Sequence, residues 1–149
     1  MAEPTIFPIA AERLIPHRPP MQVVEALQTF DGKGGTVSAR VVRENPLLEE
    51  GGALAEVGLL ELLAQAYAAV QGYADSLSGE PVRRGFLVGV RKITFLRQAH
   101  LGDALIIRVR VVARLENFAI VEGTVLKGEK PLAEGTFKVW IVPTEGSDQ

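Results

Sequence analysis

Residues 53–73, "ALAEVGLLELLAQAYAAVQGY", constrain this chain more than any other stretch. The period is helical and nearly every side is apolar. A helix lying on a surface shows a charged face, so this one is predicted to be enclosed on most sides. Something must wrap it, and the rest of the sequence supplies strands. "QVVEALQTF" (22–30), the turn "DGKGG" (31–35) and "TVSARVVR" (36–43) read as two strands joined by glycines. After the polar loop "DSLSGEPVRR" (75–84), strand-like segments follow at 85–97, 104–115, 118–127 and 131–142. In 104–115, Ile107, Val109 and Val111 alternate with Arg108 and Arg110, the period of a half-buried strand. "LGD", "LEN" and "KGEK" are short enough for antiparallel hairpins. The expectation is a single α+β domain over 1–149, with about five to six antiparallel strands curled around one long helix. Residues 1–13 and 143–149 are peripheral to it.

Composition removes several classes of function. There is no cysteine, which excludes a disulfide scaffold, a thiolate nucleophile and Cys-based metal sites. A net charge of −2 gives no reason to expect nucleic acid. The apolar run Leu62 to Ala74 is shorter than the ~20 residues that span a bilayer. "MAEPTIFPIAAERL" lacks the basic start of a signal peptide, so no membrane partner and a cytoplasmic location are expected. The two histidines, His17 and His100, are far apart and show no metal spacing. "DGKGG" lacks the Lys-Ser/Thr end of a phosphate-binding loop, and there is no Gly-x-Ser-x-Gly. No cofactor or metal is expected.

Within the apolar helix stand a carboxylate, Glu61, and one turn later an amide, Gln65. An ionised carboxylate in such surroundings costs several kcal/mol unless it is protonated, paired or used. Gly58, Glu61, Gln65, Ala68 and Gly72 form a narrow stripe, small at its ends, where backbone or substrate can approach closely. Gln65 lies within hydrogen-bonding reach of Glu61 and can fix its rotamer. The structural alternative for Glu61 is a buried Glu bonded to backbone or to an arginine of the sheet.

Four segments carry a resemblance: "LIPHRPPMQVVEAL" (14–27), "LLELLAQAYAA" (59–69), "GFLVGVRKITF" (85–95) and "LGDALIIRV" (101–109). In order and over roughly Leu14 to Val142, they resemble the bacterial 3-hydroxyacyl-[acyl-carrier-protein] dehydratases. They are most similar to the dehydratase-like proteins of aryl-polyene pigment clusters, which share "PHRPPM". The resemblance implies a hot dog fold, a homodimer and an acyl-thioester substrate, with an acyl carrier protein as a possible partner. It also implies Glu61 as the general acid that protonates the departing hydroxyl. Backbone amides at the helix start, around Glu56, Val57 and Gly58, become donors to the thioester carbonyl. Arg18, Met21, Gln65, Phe86 and Leu87 become substrate-site residues by the same matching.

One position departs from the family. Its catalytic base is a His fourteen residues before the helix Glu, and Leu47 stands there. His17, between Pro16 and Pro19–Pro20, is the candidate replacement; its alternative is a rigid turn with Arg18 binding a carboxylate. Three functions therefore remain open: a 3-hydroxyacyl-thioester dehydratase, a hot dog thioesterase using Glu61 alone, and a non-catalytic acyl-thioester-binding subunit. Arg83, Arg84, Arg91, Lys92 and Arg97 make the region after the helix basic. They read as a solvated sheet edge or as a surface for an acidic carrier.

Overall fold

The computed structural model describes residues 7–79 and 85–142, with side chains given for 7–79 and 89–142. Two short elements open it, β1 (Ile9–Ala10) and a 3₁₀ turn over Ala11–Arg13. Then come β2 (Ala26–Phe30), β3 (Gly34–Arg40) and α1 (Glu56–Leu77). The chain ends with β4 (Gly85–Phe95), β5 (Ala104–Leu115), β6 (Phe118–Lys127) and β7 (Lys130–Ile141). All seven strands form one sheet in the order β1-β2-β3-β5-β6-β7-β4, every pairing antiparallel. The expected order of strands and helix is present, with β1 added at one edge.

The sheet makes room for the helix at one position on its inner face. Val109, Gly123, Gly135 and Ile93 are neighbours across β5, β6, β7 and β4. A Cβ on Gly123 would stand 2.5 Å from Leu63 of α1, so the missing side chain is what admits that leucine. Leu63, Tyr67 and Phe137 are essentially closed to solvent. Burial of a leucine of this kind stabilises by ~1.5–3 kcal/mol. In all, 13 of the 22 residues of α1 are buried.

The helix is covered, yet not all the way round. Val57, Leu60, Glu61, Ala64 and Ala68, which share one face by their spacing, are half-buried or exposed, while Leu59, Leu62, Leu63 and Ala66 are buried. The sheet therefore leaves one mainly apolar seam of α1 open. At the other end of the stripe, Gly72 has a different use. A Cβ there would collide with the carbonyl oxygen of Leu14, so the glycine lets the N-terminal segment lie directly on the helix.

Expected boundaries shifted for physical reasons. Gly34 and Gly35 belong to β3 rather than to the turn because they pair with Arg110 and Val109 of β5. They are glycines because a Cβ on either would strike the carbonyl of Val109 or of Thr29. The turn itself is closed by Asp31, whose Oδ1 accepts from the amides of Lys33 (3.0 Å) and Gly34 (2.8 Å). Among the described residues, no helix is long and apolar enough to cross a membrane.

Candidate active site

The site is assembled by Gln65. Its side chain is 1% exposed, and each of its hydrogen-bonding groups has a named partner. Oε1 accepts from the backbone amide of Val23 at 2.8 Å. Nε2 donates to the carbonyl of Met21 at 2.8 Å and to Oε2 of Glu61 at 2.6 Å. One amide thus ties the helix to residues 21–23, more than forty positions earlier. At Val23 a side chain from α1 thus takes the place of a backbone partner. Both N–H groups of Gln65 are committed to protein acceptors, so it holds the site together from below.

Glu61 lies on the open seam and is half-buried. That differs from the enclosure expected from its apolar neighbours in sequence. The reason is the seam, where Leu60 and Ala64 are likewise only partly covered. Gln65 is the one hydrogen-bond partner the structure gives its carboxylate, and no arginine from the sheet pairs with it among the described residues.

His17 sits at the start of the tight turn that Gln65 anchors. The carbonyl of Arg18 accepts from the amides of Met21 and Gln22, both at 2.9 Å. Arg18 bonds backbone rather than a carboxylate: Nη1 donates to the carbonyls of Ile15 (2.9 Å) and His17 (2.7 Å). Among the described residues, the buried Nδ1 atom of His17 has no hydrogen-bond partner, nor has Oε1 of Gln22 in the same turn. Met21 is 59% exposed. A cleft of about 500 Å³ lies against this segment, lined by Pro19, Pro20, Gln22, Val23, Val42 and Asn45 among others; Glu61 is not part of its lining.

The helix start is close to Leu47. The Leu47 carbonyl accepts from the Ala55 amide (2.9 Å), while its own amide donates to Oδ1 of Asn45 (2.8 Å). Its side chain is half-buried and packs on the core. With Ala55 committed to Leu47, and Gly58 donating to the Ala55 carbonyl at 2.7 Å, the free donors of the first turn are Glu56 and Val57. Both residues are exposed. A Cβ on Gly58 would press on the Leu54 side chain, so that glycine accommodates protein.

The remaining expected residues are placed as follows. Phe86 and Leu87 pair through their backbone with Trp140 and Val139, and their side chains lie outside the described part of the structure. Arg83 and Arg84 lie outside the described residues altogether. Lys92 is on the convex sheet face in a row with Thr136, Glu122 and Arg110, so its surroundings are of mixed charge. Arg97 donates to the Pro131 carbonyl (2.8 Å). His100 is exposed in its hairpin, with its backbone amide on Oδ2 of Asp103 at 2.8 Å. The acidity of Asp103 reflects a balance. Burial raises its pKa, but Lys127 at 2.9 Å and the His100 amide outweigh that and hold it below the usual carboxylate value. Sequence reasoning missed the Gln65 anchor on Met21 and Val23, because no local pattern marks a contact between residues so far apart.

Comparison with known proteins gives a family and a set of folds. The ApeP-like family, described as ApeP dehydratase, matches residues 9–148. The dehydratase heterocomplex ApeI:P from Xenorhabdus doucetiae contains a chain of 22% identity with a TM-score of 0.84, covering 93% of each chain. An uncharacterised protein from Pyrococcus horikoshii has 17% identity and a TM-score of 0.67, over 96% of this chain and 100% of that one. A hypothetical thioesterase from Streptococcus pneumoniae TIGR4, solved with coenzyme A, has 18% identity and a TM-score of 0.60, over 79% and 85%. These likenesses establish the hot dog fold. No curated protein matches the sequence.

Proposed function

We propose that this chain, which belongs to the ApeP-like dehydratase family, takes part in eliminating water from a 3-hydroxyacyl thioester, with Glu61 as the acid. The observation that carries this reading is the bond from Gln65 to Glu61. It fixes a carboxylate on the open seam of an otherwise covered helix, with one oxygen held from below and the other without a hydrogen-bond partner among the described residues. In the elimination, a base removes the α-proton, the carbon–oxygen bond at C3 breaks, and Glu61 delivers its proton to the departing hydroxyl as water forms. The amides of Glu56 and Val57 take the charge that develops on the thioester carbonyl. His17 is the base within this chain. Its ring is carried by the turn that Gln65 anchors, and Nδ1 has no partner among the described residues.

Leu47 favours a second reading, in which this chain binds the thioester and a partner subunit of the same fold supplies the missing histidine. The similar structure from Xenorhabdus doucetiae is itself a dehydratase heterocomplex. The open seam of α1 and the outer edge of β4, which among the described residues pairs only with β7, are surfaces for a second subunit, identical or related. A thioesterase using Glu61 on water is the third outcome. A cytoplasmic location and an acyl carrier protein as the thioester carrier belong to the same proposal.

One assay separates the three. The protein is incubated with a 3-hydroxyacyl thioester, and enoyl absorbance and free thiol are followed separately. Enoyl absorbance without thiol supports the dehydratase. Thiol release identifies a thioesterase, and silence in both signals leaves the binding subunit.

A further inference from the structure

The hydrogen bonds of Gln65 distinguish the two oxygens of Glu61. The amide has a single satisfactory orientation. Flipped, its oxygen would face the Met21 carbonyl and the Glu61 carboxylate, two acceptors, while its NH₂ would face the Val23 amide, a donor. Nε2 therefore points a hydrogen at Oε2 of Glu61. When a carboxylic acid meets an N–H donor, its carbonyl oxygen is the better acceptor, and the proton resides on the other oxygen. We infer that Gln65 is a positioning residue that keeps the acid proton of Glu61 on Oε1, the oxygen turned away from the amide. Because Gln65 also grips Met21 and Val23, it sets this carboxylate and the His17 turn in one frame. The inference rests on Glu61 being the acid of the proposed function.

The chemistry that follows is specific. Gln65→Glu preserves shape and the contact to the Val23 amide, yet places an oxygen where the NH₂ stood, facing two acceptors. That arrangement needs a proton of its own and draws on the one Glu61 should donate. Gln65→Glu is expected to lower kcat by roughly 10- to 100-fold, the weight of one hydrogen bond to a charged group, and to displace the pH–rate profile. KM should stay within about twofold, since no substrate contact is removed.

A second measurement does not depend on activity. In the folded wild-type protein, the two side-chain amide protons of Gln65 are expected at distinct, hydrogen-bonded NMR positions. In Glu61→Ala, the proton facing Oε2 should lose its shift, and the one facing Met21 should keep it. Two unmoved protons, or two that move together, overturn the inference. So does a Gln65→Glu enzyme with an unchanged pH profile and kcat. If the wild type forms no enoyl product while the NMR pattern is as expected, the proposed function fails and the arrangement of Gln65 stands.

Discussion

The two halves of α1 carry similar polar chains in different settings. In the first half, Glu61 and Gln65 sit one turn apart, and the carboxylate reaches the open seam. In the second half, Tyr67, Gln71 and Asp75 continue the same spacing on the buried side of the helix. The Tyr67 hydroxyl donates to Oε1 of Gln71 (3.0 Å), and Nε2 of Gln71 donates to Oδ1 of Asp75 (2.8 Å). Arg114 reaches in from β5 to the same Gln71 oxygen (3.2 Å). Gln71 is 9% exposed and Asp75 is 3% exposed. Aromatic edge contacts from Phe7 and Phe30 to Tyr73 close that end. Both halves hold a carboxylate next to a glutamine. What differs is exposure to the seam. On the proposed function it is this exposure, rather than the presence of an acid in an apolar helix, that suits Glu61 to chemistry and Asp75 to structure.

Substitutions should break this pairing in opposite directions. The largest effect is expected for Glu61→Gln, which keeps the shape and removes proton transfer, a step worth roughly 10²–10⁴ in rate. Its melting temperature should remain close to wild type, and a wild-type rate would make Glu61 a structural residue. Gln71→Leu should do the reverse. It removes the amide that links the Tyr67 hydroxyl to the Asp75 carboxylate, and losing such buried hydrogen bonds costs roughly 1–3 kcal/mol. Thermal unfolding should move down by several degrees while the rate of the folded enzyme holds. A rate loss in Gln71→Leu with no loss of stability would erase the distinction between the halves.

Much of this was legible in the sequence. The helical period of 53–73 announced a wrapped helix, and the alternation of Ile107, Val109 and Val111 announced a half-buried strand; Ile107 and Val109 are indeed closed to solvent. The ends were less legible. Ala53 and Leu54 are drawn out of the helix by backbone bridges to the strand side, Ala53 to His100 and Leu54 to the Ala99 carbonyl. At the other end, "DSL" reads as loop by polarity, yet it stays helical because Asp75 is a partner of Gln71. Glu61 and Gln65 could be picked out by their misfit in an apolar run. The open seam could not, because exposure of a helix face depends on how far the sheet curls, which no local pattern encodes.

The smallest expected effect lies in two surface turns, at Asp31 and Asp103. Asp31 is held below the usual carboxylate value chiefly by the Lys33 amide and then by that of Gly34, and Asp103 by the balance described above. In each case the folded value is below the unfolded one, near 3.8. The stabilisation is therefore complete above that value and is lost as pH falls through the lower folded one. Acid unfolding should begin below about pH 4, and Asp31→Asn should flatten that limb slightly. An unchanged acid limb in Asp31→Asn would remove the turn from the account.

The central claim, that this site adds or removes water at C3, is tested most directly by running the reaction backwards. The 2-enoyl thioester is incubated with the protein in ¹⁸O-labelled water, and the products are weighed by mass spectrometry. The account predicts the label in the C3 hydroxyl of an intact 3-hydroxyacyl thioester, and loss of that label in Glu61→Gln. Label in a free carboxylate, with the thioester cleaved, would contradict it.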